Sequence, residues 1–207
     1  MADHCCASKG KDLERLARQA DQRRILIVVL GINATMFLAE FSAGVIAGST
    51  ALMADSVDML GDALVYALSL FALSRSERWK GAAALAKGLF ILAFGIGILI
   101  DIAVKMRTGV PPSSKLMLVF GASALAANLF CLRLLWRFRA QDVNMASSFE
   151  CSRNDVIANG GVLLAAAAVA ATGMPWPDML IGGIIAILFL RSALRVIGDA
   201  LPVLRAA

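Results

Sequence analysis

Long apolar runs alternate with short polar breaks along the whole chain. A membrane-spanning helix needs about 20 consecutive, mostly apolar residues, and six runs reach that length. They cover residues 25–46, 50–73, 82–104, 113–135, 147–172 and 177–197. The pattern therefore predicts an all-α membrane protein with six transmembrane helices.

The polar segments divide the sequence into three predicted parts. Residues 1–24 form an N-terminal segment that is partly an amphipathic helix, 25–197 the six-helix transmembrane domain, and 198–207 a short tail. The first segment lacks the short apolar core and the cleavage site of a signal peptide. No soluble C-terminal domain is expected after the sixth span.

Composition supports a membrane protein and excludes two other classes. Of the 207 residues, 59% are hydrophobic and only 17% are charged, whereas a soluble domain is about 25% charged. So few polar groups do not cover the surface of a soluble globule. Intrinsic disorder is excluded because disordered chains are poor in apolar residues.

Positive charges are distributed unequally between the two sides of the predicted bundle. Fifteen of the 20 Lys and Arg residues fall on the side of both termini, and three (Lys105, Arg107 and Lys115) on the opposite side. By the positive-inside rule, both termini are expected in the cytoplasm. This asymmetry explains the net charge of +5 without a nucleic-acid partner, and none is expected.

Ionisable residues inside the apolar runs concentrate in the second and fifth spans. Asp58 and Asp62 lie four residues apart and therefore share one face of a helix, with Asp55 one turn earlier. Cys151 and Asp155 repeat this spacing in the fifth span. At a rise of 1.5 Å per residue, Asp58 and Asp155 each lie about 12 Å from the start of their own spans. Because the two spans run in opposite directions, the pairs are expected to meet near mid-membrane.

The three carboxylates of Asp58, Asp62 and Asp155, with the thiol of Cys151, form a ligand set suited to a divalent metal such as zinc. The alternative is buried polar packing, in which Asp62 or Asp155 pairs with Arg153 or with asparagines of neighbouring helices. Polar packing is also the expectation for Glu40 and Asn33. Other groups with expected structural roles are Asp101, as an ion pair with Lys105 at i+4, and Cys131, as a small buried apolar group.

The segments GSTALMADSVDMLGDALVY (48–66) and CSRNDVIAN (151–159) resemble the cation diffusion facilitator family of proton-coupled metal exporters. The resemblance extends over most of the chain, from Ile25 to Ala200. It implies that the metal ligands are Asp58, Asp62, Cys151 and Asp155. It also implies a homodimer in a bacterial inner membrane, here without the cytoplasmic metal-sensing domain of many relatives.

The sequence departs from the family pattern at the fifth-span pair. Cys151 stands where histidine is usual, and the only histidine is His4. Thiolate is a soft ligand, which favours Zn²⁺ and Cd²⁺ over Mn²⁺ or Mg²⁺. Secondary candidate ligands are Asp55 and the N-terminal group of His4, Cys5 and Cys6.

The predicted function is efflux of a divalent transition metal, most simply Zn²⁺ or Cd²⁺, in exchange for protons. The partners are the metal ion, protons, the lipid bilayer and a second copy of the chain. No prosthetic group is expected, and no enzyme activity, because no predicted span contains a histidine to act as a base. Two alternatives stay open: transport of Co²⁺, Fe²⁺ or Mn²⁺, and a membrane protein that binds metal as a sensor without moving it.

Overall fold

A computed structural model describes residues 2–72, 77–140 and 143–206. Within these ranges the side chains of residues 2–19, 65–66, 68–72, 77–78, 80, 143–147, 203 and 205–206 lie outside the description. Six α-helices account for almost all of the described residues, and no strand occurs among them. The helices are α1 Ala2–Ala47, α2 Thr50–Ala72, α3 Glu77–Thr108, α4 Ser114–Trp136, α5 Val143–Thr172 and α6 Trp176–Ala206.

The prediction of an all-α membrane protein is confirmed. Among the residues whose side chains the structure describes, five helices contain a stretch that is long and apolar enough to cross a membrane, within 20–47, 81–108, 114–136, 148–172 and 176–202. Helix α2 has 23 residues, and every 18-residue window within it contains Asp55, Asp58 and Asp62. The acidic residues that mark the candidate site are thus the same ones that interrupt the apolar pattern.

Two helices extend beyond their predicted spans. Helix α1 begins at Ala2, so the N-terminal polar segment and the first span belong to one continuous helix. Helix α6 continues to Ala206, past the predicted boundary at residue 197. Exposed apolar side chains on several helices, among them Ile46, Ile100 and Leu164, agree with a bundle surrounded by lipid.

Helices α1, α3 and α5 end at glycines with a left-handed backbone. Gly48, Gly109 and Gly173 have φ values of 66°, 65° and 65°, a conformation that glycine adopts without steric strain and that commonly ends a helix. All three lie at the same end of the bundle, which we call the Gly48 end. The opposite end, which holds both chain termini, is the terminal end.

Helix α2 lies at the centre of the bundle and contacts each of the other five helices. Its neighbours pack in pairs, with the most extensive contacts between α3 and α6, α1 and α2, and α4 and α5. Ten of the α2 residues are buried from Ala51 to Ala63. This central position shields the acidic residues of α2 from lipid, which reduces the cost of placing them in a membrane.

The main apolar core surrounds the Gly48 half of α2. It combines Leu52 and Val57 of α2 with Ile98 of α3, Met117 of α4 and Phe189 of α6, together with neighbouring small residues. A smaller cluster joins α1 and α4 towards the terminal end, and it contains Cys131 with 0% exposure. The prediction that Cys131 is a small buried apolar group is confirmed.

Candidate metal site

A cavity of about 700 Å³ lies beside α2 in the middle of the bundle. Its polar wall combines two residues of α2, one of α3, three of α5 and one of α6: Asp58, Asp62, Lys87, Cys151, Asn154, Asp155 and Ser192. Apolar residues of α5 and α6 complete it. Three of these, Ile157, Ile184 and Leu188, are 67%, 47% and 59% exposed, so the cavity opens sideways between α5 and α6.

The structure brings the four predicted ligands to this one cavity. Asp62 is 7% exposed and Asp155 is 3% exposed, while Asp58 and Cys151 are partly buried. The spacing of four residues places both members of each pair on the same helix face. The contact between α2 and α5 then turns these two faces towards each other.

Groups on the two helices lie close to one another across the cavity. The carboxyl groups of Asp58 and Asp155 are within hydrogen-bonding reach of each other, and Asp62 and Cys151 lie near enough to interact electrostatically with both. Among the side chains that the structure describes, no three acidic, thiol or imidazole groups gather closely enough to hold a metal ion as they stand. The four groups therefore face a shared space rather than forming a closed cage.

Asp55 occupies a different environment from the other two acids of α2. It is 1% exposed, does not line the cavity, and accepts a hydrogen bond from the Nδ2 of Asn159. The Oδ1 of Asn159 in turn accepts a bond of 3.1 Å from Asn128 of α4. This chain of contacts ties α2, α4 and α5 together one helical turn from Asp58 and Asp155.

Glu40 and Asn33 of α1 are both buried in the bundle. Glu40 is 0% exposed, and its carboxyl group lies next to that of Asp55. Asn33 donates a bond of 2.9 Å to the carbonyl of Val29. Both side chains point into the protein rather than to lipid, but both carboxyl oxygens of Glu40 and the Oδ1 of Asn33 have no hydrogen-bond partner among the described residues.

Among the described side chains, Arg153 does not pair with the cavity acids, which was one form of the polar-packing alternative. Arg153 instead pairs with Glu150, one turn earlier, at 2.5 Å, and both side chains are about half exposed. Asn159, one of the asparagines, donates a hydrogen bond to Asp55, an acid that this alternative did not name. Cys151, which lies next to Glu150, points to the cavity instead.

The N-terminal candidates His4, Cys5 and Cys6 belong to the first turns of α1. Their side chains lie outside the described residues, so their metal binding stays a prediction.

A second polar cluster, at the Gly48 end, was missed by sequence reasoning. Asp178, in the first turn of α6, is 0% exposed and accepts three hydrogen bonds from the start of α2. The donors are the Ser49 hydroxyl at 2.6 Å and the amides of Thr50 and Ala51 at 2.7 and 3.1 Å. Asp178 therefore caps the N-terminus of another helix, where a negative charge is favoured.

The predicted ion pair between Asp101 and Lys105 is confirmed and belongs to the same cluster. Lys105 contacts Asp101 at 2.5 Å. Thr50 bridges the pair, because its hydroxyl donates to Asp101 at 2.7 Å and accepts from Lys105 at 2.8 Å. The cluster of Ser49, Thr50, Asp101, Lys105 and Asp178 thus joins α2, α3 and α6.

Lys87 is the second residue that sequence reasoning missed. Nothing in its local sequence distinguishes it beyond its charge, although a charged residue within a span is by default a candidate for function. The signal was present in the sequence, but only the packing of α3 shows that Lys87 faces the acids of α2 and α5.

Comparison with known proteins identifies the family. The transmembrane-domain model of the cation efflux family matches residues 26–205, which is most of the chain. The chain belongs to the cation efflux family. The resemblance inferred from the second and fifth spans is confirmed.

Several bacterial members of the cation efflux family are similar to this chain. It is 26% identical to the metal cation efflux system protein CzcD of Cupriavidus metallidurans and 27% identical to the zinc transporter ZitB of Escherichia coli, each over 86% of this chain. It is 24% identical, over 89% of the chain, to the cadmium, cobalt and zinc/H(+)-K(+) antiporter of Bacillus subtilis. The matches cover 63%, 61% and 64% of these three relatives, respectively. The chain is thus an integral membrane protein, and its bacterial relatives favour the inner membrane.

Proposed function

We propose that this chain exports a divalent transition metal, Zn²⁺ or Cd²⁺, across the inner membrane in exchange for protons. The transported ion is bound by Asp58, Asp62, Cys151 and Asp155. The observation that carries the proposal is the cavity to which all four side chains are turned. The names of the relatives support the substrate class, since they include zinc and cadmium.

The charge of the site supports exchange with protons. Fully ionised, the three carboxylates and the thiolate carry four negative charges, and one divalent ion neutralises two of them. Metal ligands must be deprotonated to bind, so an ion that enters displaces protons, and protons that return displace the ion. Opening of the site to each side in turn converts this competition into antiport.

The arrangement in the membrane follows from the distribution of positive charge. The terminal end carries most of the Lys and Arg residues, which places both termini in the cytoplasm. The Gly48 end then faces the outside. A homodimer held by membrane helices completes the proposal, and the lateral opening between α5 and α6 faces either lipid or the second copy.

The decisive experiment measures metal flux by the purified protein in proteoliposomes across an imposed pH gradient, with Zn²⁺, Cd²⁺, Co²⁺ and Mn²⁺ in turn. We expect Zn²⁺ and Cd²⁺ to be moved and the flux to collapse when the gradient is removed. Binding of metal without flux would instead identify a sensor, and flux that is independent of the gradient would contradict antiport.

The ligand assignment is tested with a matched pair of substitutions on α5. Asp155→Ala removes a cavity carboxylate and is expected to abolish flux. Glu150→Gln removes a carboxylate on the same helix that is exposed and paired with Arg153, and is expected to leave flux unchanged. Equal flux from Asp155→Ala and wild type would refute the site.

The ion preference is tested at Cys151. The substitution Cys151→Asp replaces a soft sulfur ligand by a hard carboxylate oxygen. It is expected to shift the ion preference from Cd²⁺ towards Mn²⁺. The ratio of Cd²⁺ to Mn²⁺ flux measures the shift. An unchanged ratio would show that Cys151 does not bind the transported ion.

A further inference from the structure

Lys87 places a positive charge in the wall of the metal cavity. It is the one cationic residue among the described side chains that line the cavity, where it faces Asp58, Asp62, Cys151 and Asp155. A lysine inside a membrane span is costly, and such residues almost always face the bundle interior or a water-filled cavity. Since α3 carries Lys87 within its membrane-spanning stretch, 81–108, despite this cost, the residue is expected to have a role within the cavity.

The backbone at Lys87 is held in place by close packing of α3 on α6. A Cβ atom at the next residue, Gly88, would lie 2.6 Å from the Cγ1 of Ile197, and one at Gly95 would lie 2.8 Å from the Cδ2 of Leu190. Only glycine allows the two helices to approach this closely. Any movement of the ammonium group must therefore come from the flexible four-carbon side chain.

The ammonium group is close to the acids but not locked to one of them. The ion pairs found among the described side chains join Lys105 to Asp101 and Arg153 to Glu150, so neither involves Lys87. Its electrostatic interactions are shared among Asp62, Cys151 and Asp58. A permanently structural lysine would be expected to sit against a single carboxylate, as Lys105 does.

The same charge has opposite effects on the two states of the site. Without metal, the ammonium is attracted by the carboxylates and offsets part of their repulsion. With metal bound, it lies near a divalent cation and repels it. A unit charge several ångströms from a divalent ion changes binding by at least about tenfold at the effective dielectric constant of a protein.

We propose that Lys87 is a tethered counter-cation, which occupies the carboxylate side of the cavity when metal is absent and withdraws when metal binds. Competition between the tethered ammonium and the ion weakens metal binding and speeds metal release. The inference rests on the proposed function, since it concerns the same site. It identifies Lys87 as a residue that sets affinity rather than as a ligand.

The test compares metal binding and release in Lys87→Met, Lys87→Arg and wild type, in detergent and in mildly alkaline buffer, where proton competition is smallest. Zn²⁺ affinity is measured by calorimetry, and release by transfer of the ion to a chelator. The expected result for Lys87→Met is binding at least about tenfold tighter and release that is slower by a similar factor. Lys87→Arg, which keeps the charge, is expected to restore binding towards the wild-type value.

A matched control separates the cavity effect from the overall charge of the protein. Lys115→Met removes the same charge from an exposed residue of α4 at the Gly48 end and is expected to bind as wild type does. The absorption spectrum of bound Co²⁺ checks that the ligand set of each variant is intact. Should Lys87→Met not fold, Lys87→Gln removes the same charge and provides the same comparison.

Each result bears on one proposal or the other. Unchanged or weaker binding by folded Lys87→Met, with an intact Co²⁺ spectrum, would overturn the role of Lys87 while the proposed function stands. An equal gain in Lys115→Met would overturn it as well, because the effect would not come from the cavity. Absence of metal binding by the wild-type protein would overturn the proposed function, and the role of Lys87 with it.

Discussion

Two groups of acidic residues inside this bundle have different kinds of partner. At the Gly48 end, Asp178 accepts three hydrogen bonds and Asp101 contacts Lys105 directly. In the cavity, Asp58 and Asp155 approach each other, and the nearby Lys87 is not paired at close range with either. Carboxylates with hydrogen-bond donors or a cationic partner hold helices together. Carboxylates that face one another across a cavity repel each other, so a cation that binds between them stabilises them strongly.

The comparison also assigns different tasks to the two halves of α2. Its first turn is bound to α3 and α6 by the Gly48-end cluster, and a glycine of α6, Gly182, lets the two helices approach closely there. Further along, Asp58 and Asp62 border open space. One helix is thus anchored at one end and carries the candidate ligands in its middle.

The largest expected effect is on transport. Asp58→Asn removes one of the carboxylates that face each other and should lower flux by more than about 100-fold, beyond the usual effect of residues outside the ligand set. Thermal stability in detergent should stay the same or rise, because repulsion between like charges is reduced. Flux is measured in proteoliposomes and stability by thermal unfolding. A loss of stability that parallels the loss of flux would give Asp58 the structural role of Asp178.

The next effect is on stability. Asp178→Asn replaces an acceptor of three hydrogen bonds by a group that presents two N–H donors to the donors of α2. Buried hydrogen bonds to charged groups contribute about 1.5–3 kcal/mol each, so unfolding should become easier by about 2–4 kcal/mol. The measurement is denaturation of the variant in detergent. Unchanged stability would mean that the cap contributes little to holding α2.

A smaller effect is expected at the hydrogen-bond chain behind the site. Asn159→Ala removes the side chain that donates a hydrogen bond to Asp55 and accepts one from Asn128. The relative orientation of α2 and α5 is then less well fixed. Flux should fall by about tenfold, which is typical of residues that position metal ligands, while the absorption spectrum of bound Co²⁺ should broaden. A lower flux with an unaltered spectrum would argue against a positioning role.

The smallest effect is expected at Thr50. Thr50→Val removes the hydroxyl that bridges Asp101 and Lys105 but leaves their direct contact of 2.5 Å. Stability should fall by about 1 kcal/mol, the usual net contribution of one hydrogen bond, and flux should not change. A strong effect on flux would show that the Gly48-end cluster takes part in transport, and the distinction between the two groups would fail.

Local spacing explains what could be predicted. The apolar runs predict six helices because length and hydropathy decide whether a helix enters a membrane. The pairs Asp58 with Asp62 and Cys151 with Asp155 share faces because the helical repeat requires it. The contact of Asp101 with Lys105 follows from the same rule and is confirmed.

Contacts between distant segments could not be predicted in this way. Asp178 and Thr50 are 128 residues apart, and Asn159 and Asp55 are 104 apart. No pattern in the nearby sequence predicts either contact, because each contact depends on which helices become neighbours. The same holds for Lys87, whose direction depends on the rotation of α3 about its axis.

The sequence by itself determined the class of the protein, the number of its helices and the two residue pairs that mark the candidate site, because helical periodicity and transfer of side chains from water to lipid act locally. Tertiary structure alone decided that α2 lies at the centre, that the pairs face one cavity, and that Lys87 faces it with them. Those features depend on how the helices pack against one another. Packing between distant segments is a property of the whole bundle, so no single stretch of sequence contains it.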